Sequence, residues 1–133
     1  MFSVPGTPRG KQRPRFWNGR AVTPKETREY EQAIALVAKS KGAQPYEFPC
    51  RIEITAVFEP SASWTRKKTQ AALEGRLHHT KRPDADNAMK IVLDALNGVA
   101  WKDDAQVYDA RITKTYGKSA ELGVTIVYDT TEV

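Results

Sequence analysis

Between Pro83 and Gly98 the chain reads P-D-A-D-N-A-M-K-I-V-L-D-A-L-N-G, and a helix is the conformation that orders it. Asp86, Asn87, Lys90, Asp94 and Asn97 fall within an arc of roughly 100° on a helical wheel. Ala88, Met89, Ile91, Val92, Leu93, Ala95 and Leu96 fill the remainder. A helix with so narrow a polar stripe must be buried around most of its circumference, so the rest of the chain has to build a core about it. Pro83 restrains its start, Asp86 or Asn87 can cap it, and Gly98 after Asn97 is a stop signal.

The stripe allows two explanations. Asp86, Lys90 and Asp94 are spaced to form solvated ion pairs, worth about a few tenths of a kcal/mol each. Their neighbours point to chemistry. Asp84 precedes Asp86 by two positions, and Asp103 and Asp104 follow the helix, in a chain whose net charge is +5. If the segment after the helix is a strand lying beside it, Asp104 returns to the helix entrance. Three converging carboxylates repel one another unless a cation lies between them, and such hard oxygen donors suit Mg²⁺ or Mn²⁺. Lys90, one turn beyond Asp86, is then placed to stabilise charge growing on a phosphate.

The run P-D-A-D-N-A-M-K-I-V-L-D-A-L-N-G, then W-K-D-D-A-Q-V, closely resembles the signature of the RusA family of Holliday junction resolvases. The resemblance is strong over Asp84 to Val107, and P-G-T-P-R-G-K-Q-R-P-R-F is more loosely similar to the family's Pro- and basic-rich opening. It implies a small homodimer that nicks four-way DNA junctions with a divalent metal, Asp84, Asp86 and Asp104 being the ligands and Lys90 the catalytic lysine. Asp103 and Asn87 then stand behind the ligands as supporting groups. Where some members carry a basic or aromatic residue directly before the first aspartate, this chain has Pro83, with Arg82 one step earlier. Nothing in a carboxylate motif reads substrate shape, so a nuclease acting on flaps, single strands or RNA stays open. So does a noncatalytic DNA-binding module whose acids form an ion-pair network.

At 133 residues the chain suits one domain spanning 1–133. The positive charge favours a polyanionic partner. Cys50 is the sole cysteine and has no internal disulfide partner, which fits a reducing compartment. The chain has no apolar run of about 18 residues and no signal-like start, so no membrane partner and a cytoplasmic location are expected.

In order, Met1–Val4 suits an edge strand. Pro5–Arg15 carries Arg9, Lys11, Arg13 and Arg15 among prolines and glycines, which suits either a floppy solvated arm or a loop that, with Arg82, tracks phosphates. Asn18-Gly19 predicts a hairpin over Phe16–Val22 that presents Trp17 and Arg20. Thr23, Pro24 and Glu26 predict a capping box ahead of an apolar helical pattern from Tyr30 to Ala38. Ile52, Ile54, Ala56 and Phe58 alternate as a strand, and a short helix or loop follows around Ala71–Leu73, with Trp64 expected in packing. His78 and His79 lack partners at zinc spacing and are expected to cover the site or reach phosphate. Trp101 is expected to close the core. Tyr108, Ala110 and Ile112 predict a strand, and Leu122 to Tyr128 its antiparallel partner across a turn at Gly117–Ala120. The expected fold is α+β, a mixed, mainly antiparallel sheet packed with two main helices.

Overall fold

In the computed structural model, which describes residues 1–133, the elements run β1 (Phe2–Pro5), β2 (Arg15–Trp17), β3 (Arg20–Val22), α1 (Lys25–Ser40), β4 (Cys50–Phe58), α2 (Arg66–Leu73), α3 (Ala85–Leu96), β5 (Val107–Tyr116) and β6 (Glu121–Tyr128). A single 3₁₀ turn, Asp104–Gln106, leads into β5. No helix is long and apolar enough to cross a membrane.

Strand β4 carries the strictest alternation, and it takes the centre. Its Cys50, Ile52, Ile54, Ala56 and Phe58 are all buried on one face. The sheet order is β1-β6-β4-β5, with β4 antiparallel to β6 and parallel to β5, and β1 antiparallel to β6. The fold is therefore α+β with a mixed sheet, as expected, but β5 and β6 are not partners. The turn between them steps over the end of β4, where the Gly117 N–H donates to the Phe58 carbonyl at 2.9 Å. Placing the most apolar strand between the other two pairs both its edges, which a β5–β6 hairpin would have left unpaired on one side. An irregularity opposite Cys50 and Arg51 separates Val107 from Asp109 in the ladder and leaves Tyr108 exposed on the edge strand.

Helices α1 and α3 cover the apolar face of this sheet. Helix α1 buries Thr27, Tyr30, Ile34 and Ala38, and α3 buries Ala88, Ile91, Val92, Ala95 and Leu96. Tyr30, Ile34 and Ala38 of α1 and Ile91, Val92, Ala95 and Leu96 of α3 form one core with the inner strand residues. Trp101 is fully buried beneath the end of α3, as expected, and Cys50 is fully buried on the inner face of β4.

Helix starts differ from the expected ones. Helix α1 begins at Lys25, with Pro24 in extended backbone at the cap position and no side-chain cap bond, so the Thr23–Glu26 capping box is not formed. Thr23 lies one residue too early. Helix α3 is capped by Asp84 rather than by Asp86 or Asn87, its Oδ1 accepting the Asn87 N–H at 2.9 Å. Helix α2 forms as a short element capped by Thr65.

His79 does not face solvent. It is 7% exposed, stacked on Phe58 with ring centroids 3.7 Å apart, and tilted against Tyr116. Trp64 meets Tyr116 edge-on and packs against the core. Burial lowers the His79 pKa, and Lys114 and Lys81 lower it further. Between the depressed folded pKa and the ordinary value of 6.5, the unfolded chain binds more protons than the folded one. The stability contributed by neutral His79 is thus complete above that window and is lost as pH falls through it. Melting temperature measured from pH 7.5 down to 5 is expected to fall below pH 6.5, and His79→Phe to flatten that fall.

Candidate active site

The entrance of α3 gathers the groups with most chemical potential. One oxygen of Asp84 is occupied by the cap bond and the carboxylate is otherwise exposed; Asp86, in the first turn, and Lys90, one turn further, are exposed as well. Both acids sit where the helix dipole favours negative charge. The ion-pair ladder that the spacing allowed is not formed. Asp94 pairs instead with Lys11 at 3.1 Å, and neither Asp86 nor Lys90 enters any ion pair. The polar stripe is divided, one edge covered by the amino-terminal segment and the other left free.

Two fasteners hold this entrance. Below it, the Lys114 ammonium donates to the carbonyls of Lys81 at 2.7 Å and Pro83 at 2.8 Å, in the loop whose Arg82–Pro83 peptide is cis. Lys114 belongs to no motif, and its one signal in the sequence is that it continues the Ala110, Ile112 register of β5. Beside the helix, the Lys11 N–H donates to the Asn87 carbonyl at 2.9 Å, while its side chain lies between Glu31 and Asp94. Burial lowers the Lys11 pKa, but the two carboxylates more than compensate, so it ends above its ordinary value. Gly10 permits this close approach: a Cβ there would stand 2.7 Å from Pro83 Cβ and 3.1 Å from Asn87 Cβ.

Between the amino-terminal segment and the α3 entrance lies an open cavity of about 510 Å³, lined among others by Arg9, Lys11, Arg82, Asp84 and Asn87. Of the five basic residues expected to meet phosphate, Arg9 and Arg82 therefore face the same space as Asp84. Lys11 also lines it, with its charge already engaged by two acids. Arg13 and Arg15 lie beyond it, exposed.

Asp104 is elsewhere. The expected return to the α3 entrance does not occur within the chain, where no group of three acids, histidines or cysteines able to hold a metal forms. Asp104 accepts the Trp101 indole N–H at 2.7 Å, just before β5 begins beside Cys50. Lys114, which marks the α3 entrance, stands seven residues along β5 from Val107, a span of about 23 Å. A parallel β4–β5 pair causes this separation: β5 runs back toward the α3 entrance, so its beginning is the end farthest from it. Asp103 caps the 3₁₀ turn, its side chain accepting the Ala105 N–H while Gln106 reaches back to the Asp103 N–H.

The family described as Endodeoxyribonuclease RusA matches residues 5–127, nearly the whole chain. The chain belongs to the RusA family. The uncharacterized protein YqaN of Bacillus subtilis (strain 168) is similar to it, 35% identical over an alignment of 133 positions that covers 94% of this chain and 93% of that protein. The RusA match takes in both the α3 entrance and the basic segment laid against it.

That close approach is testable. In this RusA-family domain Gly10→Ala is expected to lift the basic segment from α3 and to cost about 1–3 kcal/mol in urea unfolding, with faster hydrogen exchange at the Lys11 amide. Unchanged exchange would show that the contact with Pro83 and Asn87 does not hold the segment.

Proposed function

We propose that this RusA-family chain is a divalent-metal-dependent endonuclease that resolves four-way DNA junctions by paired nicks. The observation that carries the reading is the free Asp84, Asp86, Lys90 edge of α3, opening beside a cavity lined by Arg9 and Arg82. Acids that served only an ion-pair network would be paired, and these are not; a binding module gains nothing from unpaired acids facing the phosphates it must attract.

The donor chemistry fits Mg²⁺ or Mn²⁺ in part. Asp84 and Asp86 offer exposed carboxylate oxygens, and Mg²⁺ is commonly held by one or two carboxylates with water and substrate phosphate completing the shell. An ion held there supplies Lewis-acid neutralisation of phosphate oxygens and lowers the pKa of the attacking water. The protein's own groups do the rest. Arg9 and Arg82 take flanking phosphates in forked geometry, and Lys90 stabilises charge on the reacting phosphate. The Asn87 backbone N–H donates to the Asp84 carboxylate and so orders the helix start.

Asp104 joins this set through a twofold homodimer. Strand β5 is a ten-residue edge strand with its outer side unpaired and Tyr108 exposed along it. Antiparallel pairing of two such edges about their middles would bring the beginning of one β5 to the end of the other. Asp104 of the partner subunit would then approach Asp84 and Asp86, and two symmetric sites would face a junction of the same symmetry.

Two measurements test this. Asp86→Asn is expected to reduce magnesium-dependent nicking of a four-way junction by about a hundredfold or more, with binding retained or tightened as repulsion of phosphate falls. Surviving cleavage would refute the assignment. Equal cutting of a flap or linear duplex would leave a nuclease without junction specificity. For the dimer, inactive Asp84→Asn and Asp104→Asn chains are mixed after unfolding and refolding together. Shared sites should restore nicking to about a quarter of the wild-type sites, because half the dimers are mixed and each holds one intact site. Sites built within single chains restore none.

A further inference from the structure

The β2–β3 hairpin is used by nothing described so far. It closes through Asn18 (φ 49°) and Gly19 (φ 73°), both left-handed as a two-residue hairpin turn requires, and pairs Arg15 with Val22, Phe16 with Ala21 and Trp17 with Arg20. Every residue from Gln12 to Val22 is exposed, and the only substantial packing of either strand is against the other. Phe16 is 79% exposed and Trp17 72%. Because side chains alternate along a strand, the two aromatics stand on opposite faces of the ribbon, and neither face is covered. Two-stranded ribbons of this kind are marginal alone, so large uncovered rings on both faces serve something outside the domain.

Charge identifies the occupant. Arg13, Arg15 and Arg20 flank the two rings, and the chain has no acidic residue between Lys11 and Lys25. Flat rings among guanidinium groups suit a ligand that presents stackable bases joined by phosphates. Position agrees. Gln12, three residues before β2, and Glu26 and Thr27, shortly after β3, line the same cavity as Asp84. From that root the ribbon can reach about 20 Å at extended-chain spacing, roughly a duplex width.

We infer that the hairpin is a wedge for the branch point, Phe16 and Trp17 each stacking on a base exposed where two arms of the DNA part, with Arg15 and Arg20 on the adjoining phosphates. This rests on the junction reading above. A four-way crossover is where a duplex offers base faces on two sides of one gap, which matches a ribbon carrying one ring on each side.

The test uses the full chain carrying Asp86→Asn, so that DNA is bound and not cut, and a four-way junction with 2-aminopurine at the branch. Stacking and opening there should change the probe's fluorescence several-fold, while the same probe in a linear duplex changes little. Adding Phe16→Ala and Trp17→Ala should abolish the change while junction affinity falls by no more than about tenfold. Trp17→Phe should retain most of it. In chains with native Asp86, the double alanine variant should cut an intact junction at least about tenfold more slowly, and a junction with unpaired branch bases almost normally. Both substituted residues are exposed, so circular dichroism and melting should match the parent. An unchanged probe signal in the double variant, or none with the parent, overturns the wedge. So does dissociation of a dimer on removing the rings, which would assign the hairpin to a second copy of the chain. If the wild type cuts junctions while the hairpin outcomes fail, only the wedge falls; if it cuts no branched DNA, the junction reading falls and the wedge with it.

Discussion

Burial of the apolar arc of α3 against the inner face of the sheet is the constraint on which the other arrangements depend. Ile91, Val92 and Leu96 are fully buried in the core that also holds Ile52 and Ile54 of β4. Their burial turns the narrow polar stripe outward and leaves no choice about which side of the helix carries Asp86 and Lys90. Each such side chain contributes about 1.5–3 kcal/mol on leaving water, several times what an exposed ion pair supplies. Hydrophobic burial therefore orients the helix, and the charged groups go where that orientation sends them.

Local electrostatics then divides the stripe. Lys11 sits between Glu31 and Asp94, tying the amino-terminal segment to α1 and α3 together. The Lys114 ammonium fastens the loop that carries Arg82 and Pro83. With both sides of the entrance held and Asp94 drawn off by Lys11, Asp84, Asp86 and Lys90 remain outside any ion pair, which is the condition a site acting on phosphate needs. The basic segment continues into the exposed hairpin, so one stretch of chain links the helix entrance to the most solvent-exposed aromatic rings of the domain.

The architecture also accounts for the position of Asp104. A parallel β4–β5 pair requires the chain to travel back before β5 begins, and α3 with its following turn makes that return. The D-D-A-Q segment thus lies at the opposite end of the sheet from the D-A-D-N segment, although both fall in the stretch that most resembles the RusA signature. Proximity in sequence and resemblance to one motif do not translate into proximity within the folded chain.

Helix α3, the alternation of β4, the Asn18-Gly19 hairpin and the α+β class followed from the sequence alone, because each rests on periodicity or on backbone preferences acting over a few residues. The acidic helix entrance and its basic neighbour were legible for the same reason. Other features were decided by the tertiary structure. The partner of β5, the burial of His79 and the pairing of Asp94 with Lys11 rather than Lys90 all depend on contacts between residues distant in the chain. Local pattern sets which face of an element is apolar; only the competition among elements for the same core sets which elements become neighbours.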